Sequence, residues 1–201
     1  MKISTTHKLL SIHAFCHLML IPAFMYGELW MFILGFMWWQ FIAASAISAG
    51  YHRYFSHGSF EAPNWYRYYV QILGMLANPG PVLTWASTHR MHHAYTDTDR
   101  DPHSPTLKGF FNVYTSQWGN DVTIERKMIK GLITPDTKFF HDNYFLLITL
   151  LAILMLLINP MLFLFGFCLP VVFAFHGYGL VNLIPHTENG NPKNSWVANI
   201  L

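Results

Sequence analysis

Three histidines lie within five residues of the chain, at His89, His92 and His93, in the segment HRMHH. On a helix, positions i, i+3 and i+4 share a face, so these three imidazoles are expected to point the same way. Imidazole ligands suit iron, zinc, copper and nickel. No cysteine lies nearby, which argues against a structural zinc knuckle. The spacing therefore predicts a transition-metal site.

Two further histidine groups accompany this one. His52 and His57 stand five residues apart in HRYFSH, and His186 ends NLIPH. Residues five apart lie about 140° around a regular helix, so this pair would serve two different ions unless the helix end unwinds between them. The alternative is a run of solvated surface histidines. Five histidines in two clusters beside helix ends favour the metal interpretation.

The remaining histidines carry weaker predictions. His13 and His17 are spaced i, i+4 in the first apolar segment, which invites a haem or metal interpretation. Hydrogen bonds to other helices are the favoured role, because the sequence offers no partner cluster at the same depth. His176 is interpreted as a hydrogen-bonding or tunnel residue and is left outside the metal set. His103 and His141 are interpreted as single loop histidines.

The elements that must position these groups are membrane helices. The chain has 201 residues, of which 53% are hydrophobic and 11% charged, whereas soluble domains carry about 25% charged residues. A membrane-spanning helix needs about 20 apolar residues. Two pairs of apolar segments, each joined by a short turn, predict an all-α membrane protein with two helical hairpins in a single domain, 1–201. The predicted spans are 9–26, 29–50, 144–158 and 161–184.

The segment 51–143, which carries two of the histidine groups, is predicted to be cytoplasmic and helical. Within it, 66–86 contains Asn78-Pro79-Gly80-Pro81, which interrupts a helix, so it is predicted to be interfacial or re-entrant. With four spans, all 12 Lys and Arg residues fall on one side. The positive-inside rule then places both termini and all the histidine groups at the cytoplasmic face of a bacterial inner membrane or the endoplasmic reticulum. The net charge of +2 is too small to indicate a nucleic-acid partner.

HRYFSH and HRMHHAYTDTDRDPH together resemble two histidine boxes of the membrane-bound fatty acid desaturases of the delta-9 type. The resemblance implies O2-dependent desaturation of a fatty acyl chain by two iron ions, with O2 as co-substrate. It implies an acyl-CoA or acyl-lipid substrate in contact with membrane lipid, and an electron donor such as ferredoxin or cytochrome b5. It also implies that Asn182 contacts metal through water. The implied metal ligands are His52, His57, His89, His92, His93 and His186.

The resemblance also implies a third box, H-x-x-HH, soon after the segment NSWVANIL that ends this chain at Leu201. We therefore expect the chain to lack that box, to be incomplete at its C-terminus and to be inactive by itself. Two alternatives stay open. One is a related hydroxylase or ketolase that shares the boxes, and the other is a non-catalytic, truncated metal-binding membrane protein.

Three carboxylates, Asp97, Asp99 and Asp101, follow the second box. They are predicted to orient ligand imidazoles by accepting the second ring N–H, or else to form a polar turn that ends the helix. Arg53 and Arg90 are expected to pair with these aspartates in preference to binding a substrate head group.

An acyl substrate needs a narrow tunnel. The small residues of 43–50 leave room for an acyl chain or let helices pack closely. Phe36, Trp38 and Trp39 lie deeper and are predicted to close the tunnel, with Phe36 and Trp39 limiting chain length. Gly179 is a further predicted tunnel residue, at a position where the relatives often carry a bulky side chain.

Overall fold

The computed structural model describes residues 5–115 and 123–187, and within these ranges it contains helices and turns but no strand. The α-helices are α1 (Thr5–Leu18), α2 (Leu20–Tyr26), α3 (Leu29–Ile42), α4 (Asn64–Gly74), α5 (Val82–Tyr95), α6 (Pro105–Lys108), α7 (Phe110–Tyr114), α8 (Arg126–Ile129), α9 (Pro135–Ile158), α10 (Pro160–Phe163) and α11 (Leu169–Thr187). π-Helical turns follow α3 over Ala43–Ser56 and join α10 to α11 over Leu164–Cys168.

Four helical stretches are long and apolar enough to cross a membrane: Thr6–Tyr26, Leu29–Ser56, Pro135–Ile158 and Pro160–Ile184. The prediction of an all-α membrane protein with four spans is therefore confirmed. Two of the helices are longer than their apolar segments. The third membrane-spanning helix, α9, begins at Pro135 because Thr134 forms a reciprocal capping box with Thr137. The helix therefore starts in polar sequence ahead of its apolar part.

The second membrane-spanning helix, which starts with α3, does not end at Gly50. It continues as a π-helix from Ala43 to Ser56, which carries the first histidine box up to Ser56, and His57 caps its end. The backbone N–H of His57 donates to the carbonyl of His52 at 3.1 Å, and the Ser56 hydroxyl donates to the Tyr51 carbonyl at 2.8 Å. Because π-helical bonds join residues five apart, residues at this spacing lie one turn above each other.

The segment between the first two boxes turns back on itself. Helix α4 is followed by a short 3₁₀ turn at Met75–Ala77, after which Asn78 adopts a left-handed backbone conformation with φ 49°. Asparagine tolerates this region better than most residues. Pro81 then precedes α5, and the turn packs against α11, α3 and α9. The segment 66–86 thus contains two helical stretches joined into a hairpin by a turn that packs against the spans, and its interfacial or re-entrant placement stays a prediction.

The buried turn of this hairpin has its polar groups satisfied by side chains of other elements. Tyr51 donates its hydroxyl to the Gly80 carbonyl at 3.3 Å, and the Gly80 N–H donates to the Tyr144 hydroxyl at 3.2 Å. The Asn78 amide donates to the Leu9 carbonyl at 3.1 Å. Irregular backbone among membrane helices is tolerated where protein groups satisfy it in this way.

Glycines let α4 lie close to the π-helix. A Cβ on Gly50 would come within 2.4 Å of Val70 Cγ1, and a Cβ on Gly74 within 2.6 Å of the Tyr51 ring. At Gly50, therefore, the small-residue stretch 43–50 serves close helix packing. This packing holds the first histidine box against the hairpin that leads to the second box.

Candidate metal centre

Four imidazoles from the two boxes converge on one point. His52, His57, His89 and His93 each offer a ring nitrogen, and these nitrogens all lie within 4.8 Å of one another. The Nε2 atom of His89 lies 3.2 Å from Nε2 of His57 and 3.0 Å from Nε2 of His93. Nitrogen ligands held at about 2.0–2.1 Å from one tetrahedral metal ion are separated by about 3.3 Å. The observed spacing fits such an ion.

Two different helix types create this convergence. On the π-helix, the rings of His52 and His57 lie 4.8 Å apart between centroids. The 140° separation holds for a regular α-helix; of the two alternatives that the sequence left open, the altered helix end agrees with the π-helix seen here. On α5, His89 and His93 are one α-helical turn apart, with ring centroids separated by 4.5 Å. The Trp85 ring stacks on His89 at 5.0 Å and covers it from one side.

Burial and neighbouring groups lower the pKa of imidazoles in the cluster, which favours their neutral form. Burial lowers the pKa of His89, and the neighbouring imidazoles of His52, His93 and His57 lower it further. Burial also lowers the pKa of His57, with a contribution from the positive charge of Arg90. The pKa of His93 is lowered by burial and by its histidine neighbours. Metal ligation requires the neutral form of histidine, so these shifts favour binding at neutral pH.

The third histidine of HRMHH belongs to a second group. His92, Asp101 and His103 place one ligand atom each within 4.8 Å of the others. The His103 ring stacks on that of His92 with centroids 4.0 Å apart. The His92 ring centroid lies 5.6 Å from that of His93, so the two groups are neighbours. The sequence analysis interpreted His103 only as a single loop histidine, and its proximity to Asp101 in the DPH segment was the available signal for this group.

Asp101 is the carboxylate that holds His92. It is fully buried, and its two oxygens lie 3.0 Å from Nδ1 of His92. Burial alone would raise the pKa of Asp101, but hydrogen bonds from His92 and from the backbone N–H groups of His103 and Asp97 lower it to about 2. Because an ionised carboxylate only accepts, Nδ1 of His92 carries a proton, and in the neutral imidazole Nε2 then keeps its lone pair.

The other two aspartates occupy different positions in the turn after α5. Asp97 has a left-handed backbone with φ 58°, and its side chain accepts a hydrogen bond from the Ser104 hydroxyl at 3.0 Å. Asp99 is exposed. Among the three carboxylates, the structure therefore brings Asp101 to a box histidine, while the Asp97 side chain helps to shape the turn.

Arg90, within the second box, binds backbone rather than the aspartates. Its guanidinium donates to the carbonyls of Ser56 at 2.7 Å and Phe55 at 2.8 Å, at the end of the π-helix. It also donates to the carbonyls of Lys130 at 2.9 Å and Met128 at 3.2 Å. The expectation of an ion pair with the aspartates is therefore wrong for Arg90. The end of the π-helix presents carbonyls without helical partners, which a guanidinium can satisfy.

Two predicted residues lie near the end of α11. Asn182 is half-buried on this helix. The backbone of His186 belongs to α11, whereas its side chain lies outside the described part of the structure. Ligation by His186 therefore stays a prediction.

The predicted tunnel residues lie along the contact between α3 and α11. Phe36, Trp39 and Phe173 form an aromatic cluster with ring centroids 5.2–5.5 Å apart. A Cβ on Gly177 would lie 3.4 Å from the Trp39 ring, so that ring rests against α11. Gly179 lies beneath the ring of Tyr114 from α7. Trp38 turns aside and donates its indole N–H to the Gly166 carbonyl at 3.1 Å.

One of the two first-helix histidines, His17, has a histidine partner on another helix. Nε2 of His17 lies 3.1 Å from Nε2 of His176 on α11, and Nδ1 of His176 lies 2.6 Å from the Tyr114 hydroxyl. The favoured role, hydrogen bonding between helices, agrees with these contacts for His17. Pairing between residues 159 positions apart in the chain has no local sequence signal.

Comparisons with known proteins give a family and several relatives for this chain. A family model described as fatty acid desaturase matches residues 22–200. The chain is 29% identical to the sn-1 stearoyl-lipid 9-desaturase of Synechocystis sp., over 95% of this chain and 63% of that protein. It is 34% identical to the sn-2 palmitoyl-lipid 9-desaturase of Nostoc sp., over 77% of this chain and 56% of that protein. Delta-9 acyl-lipid desaturase 1 of Arabidopsis thaliana is 46% identical over 35% of this chain and 23% of its own length. The chain thus spans less than two thirds of each relative.

Proposed function

The chain belongs to the fatty acid desaturase family, and from that premise we propose that it carries the first two histidine boxes of an O2-dependent acyl desaturase with a di-iron centre. The observation that carries the proposal is the convergence of four imidazoles from two separate boxes within 4.8 Å. Histidine-rich ligation suits iron. The neighbouring group at His92 and Asp101 supports a second ion beside the first.

In this proposal, His52, His57, His89 and His93 hold one iron ion. His92 and His186 contribute to the other, with Asn182 contacting metal through water. Bound iron supplies the O2-dependent redox chemistry that removal of hydrogen from an unactivated alkyl chain requires. The protein's own part is to bind and orient the ions and the acyl chain and to exclude water.

Asp101 has a defined part in that task. It accepts a hydrogen bond from Nδ1–H of His92 and so leaves the Nε2 lone pair of the neutral imidazole available for metal. Its two backbone donors, the N–H groups of Asp97 and His103, hold the carboxylate in place at 2.8 Å and 3.0 Å. Arg90 acts at longer range, because it joins the end of the first box to the helix that carries the second.

The substrate we propose is a fatty acyl chain esterified in a membrane lipid, with the double bond introduced at the delta-9 position. Three relatives are named as 9-desaturases or delta-9 desaturases of lipids, which favours an acyl-lipid over an acyl-CoA substrate. The aromatic cluster of Phe36, Trp39 and Phe173 between α3 and α11 is proposed to close the far end of the acyl tunnel. Phe36→Ala and Trp39→Ala are then expected to lengthen the accepted chain.

We also propose that the histidine boxes face the cytoplasm. The basic residues gather on the side where the boxes emerge, which is the pattern of the positive-inside rule. Electrons would then reach the site from a cytoplasmic donor of the ferredoxin or cytochrome b5 class.

The test is lipid analysis of cells that express the full-length protein, beside a His89→Ala control. Expected are new monounsaturated acyl chains in membrane lipids that depend on O2, with the alkene located by mass spectrometry of derivatised fatty acid esters. The His89→Ala protein, which lacks the central imidazole of the cluster, is expected to form none and to bind less iron.

Other products would overturn the proposal in distinguishable ways. Hydroxylated or ketone products would identify the related oxygenases instead. Purified protein that binds iron but shows no O2-dependent turnover with an electron donor present would identify a non-catalytic metal-binding protein.

A further inference from the structure

The ring of Tyr114, at the end of α7, lies against α11 at Gly179, one of the two glycines of that helix. An ideal Cβ on Gly179 would lie 2.6, 2.7 and 3.0 Å from three carbons of the ring. The first two distances are shorter than real Cβ contacts. Tyr114 therefore occupies the space that a side chain on α11 would otherwise fill.

This position shares a helix face with the predicted iron ligand. Gly179 and His186 are seven residues apart, which is nearly two full α-helical turns, so both lie on the same side of α11. At 1.5 Å per residue, the Tyr114 ring covers that face about 10 Å from His186, toward the interior of the span. An acyl chain that passes the proposed iron site and continues into the membrane along α11 would contact this ring.

A chain of hydrogen bonds holds the ring in place, and its direction can be assigned. Nδ1 of His17 lies 2.7 Å from the carbonyl of His13, which can only accept, so that nitrogen carries a proton. In neutral His17, Nε2 then accepts from Nε2–H of His176 at 3.1 Å. Nδ1 of His176 is left as an acceptor for the Tyr114 hydroxyl at 2.6 Å.

We propose that Tyr114 is a specificity-determining residue that limits how far the acyl chain extends beyond the reacting carbons, with His176 and His17 as positioning residues that hold its ring. This inference rests on the proposed function, since it assumes an acyl chain at the His186 end of α11. It places the limit about 10 Å from His186, nearer than the aromatic cluster of Phe36, Trp39 and Phe173, so the two limits are alternatives: if Tyr114 ends the acyl chain, Phe36→Ala keeps the wild-type product ratio.

The geometry predicts that two substitutions change the accepted acyl-chain length in opposite directions. Tyr114→Ala removes the ring and opens space against Gly179, so longer acyl chains are accepted. Gly179→Ala places a methyl group where the ring lies, so the ring moves off α11 into the path of the chain and shorter chains are favoured. One methylene group in an apolar pocket changes discrimination on the order of tenfold or more.

The experiment feeds cells that express the full-length protein with a mixture of palmitic and stearic acids and measures the ratio of the two monounsaturated products. Tyr114→Ala is expected to raise the stearoyl-derived share, and Gly179→Ala to lower it, each on the order of tenfold. Phe111→Ala is the matched control, because Phe111 belongs to the same short helix and its side chain is 67% exposed. Its product ratio is expected to equal that of the wild type.

The positioning roles have their own readout. Tyr114→Phe keeps the ring but loses its hydrogen bond to His176, so the product ratio is expected to shift in the same direction as in Tyr114→Ala, by less. His176→Ala is expected to match Tyr114→Phe, and the two changes together are expected to add nothing. Additive shifts would show that His176 does not act through Tyr114.

Iron content is measured for every variant and separates misfolding from altered specificity. If Tyr114→Ala does not accumulate, Tyr114→Leu replaces it with the same expected direction. Unchanged product ratios in iron-loaded, active Tyr114→Ala or Tyr114→Leu, and in Gly179→Ala, would overturn the inference and leave the proposed function standing. A wild type without alkene products would instead overturn the proposed function.

Discussion

The backbone N–H of His57 donates to the carbonyl of His52 across five residues, at 3.1 Å. This single bond is the repeat of the π-helix, and it places the two imidazoles of the first box one turn apart on one side of the helix. On an α-helix the same side is reached by residues three or four apart. The spacing of the first box is therefore matched to π-helical geometry, and that of the second box to α-helical geometry.

Moving the second imidazole of the first box by one residue tests this relationship. In the double variant Ser56→His/His57→Ser the histidines are four apart, so the moved ring leaves the cluster if the π-helix persists. We expect the iron affinity of purified protein to fall by at least about tenfold, since the loss of an outer-shell partner alone costs about that much. Helix content by circular dichroism is expected to stay constant.

The control for this exchange is Ser56→Ala, which removes the hydroxyl that bonds to Tyr51 but leaves His57 in place. It is expected to retain iron affinity. Equal affinity in the double variant and the wild type would mean that the π-helical spacing has no part in metal binding.

Asp101→Asn tests the buried carboxylate that holds His92. The amide loses the negative charge and can donate to Nδ1 of His92, which would place the imidazole proton on the wrong nitrogen. Outer-shell changes of this kind cost 10–100-fold in metal affinity or activity, and we expect a loss in that range. Titration of metal-free protein with ferrous iron measures it. Asp142→Asn, which removes a carboxylate from the exposed side of α9, is the control.

Arg90→Lys tests the junction between the boxes. A lysine ammonium cannot donate to four separate carbonyls in the fork geometry of the guanidinium, so buried carbonyls lose their partners. We expect the free energy of unfolding to fall by about 2–3 kcal/mol. Chemical unfolding in detergent measures the change. Arg53→Lys, at an exposed position of the first box, is expected to change it little, and an equal loss in both variants would contradict the prediction.

Gly50→Ala tests the close approach of α4 to the π-helix. The added methyl group would lie 2.4 Å from Val70 Cγ1, and overpacking of this kind costs about 1–3 kcal/mol. The double variant with Val70→Ala removes the clashing methyl groups. We expect it to be more stable than the sum of the two single changes predicts, which a double-mutant cycle measures. Strict additivity of the two changes in the free energy of unfolding would show that the side chains at the two positions do not interact.

Much of the architecture could be predicted from local pattern. Composition and apolar length predicted four spans, because the cost of exposing polar backbone to lipid leaves helices as the solution for such segments. The Asn78-Pro79-Gly80-Pro81 sequence indicated that the chain would not cross the membrane there. The helix ends were less predictable, because Thr134 caps a helix whose first turns are polar and the π-helix runs past the apolar segment that ends near Gly50.

The sequence by itself determined which residues could bind metal, since imidazole chemistry and the spacing within HRMHH depend only on the residues present. Tertiary structure decided which of those residues belong to the same group of possible metal ligands. It placed His89 and His93 with the first box, and His92 with Asp101 and His103. It also paired His17 with His176 and laid Tyr114 over Gly179. These pairings join segments that are distant in the chain, and they depend on helix type and on the close packing that glycine allows, which no local pattern records.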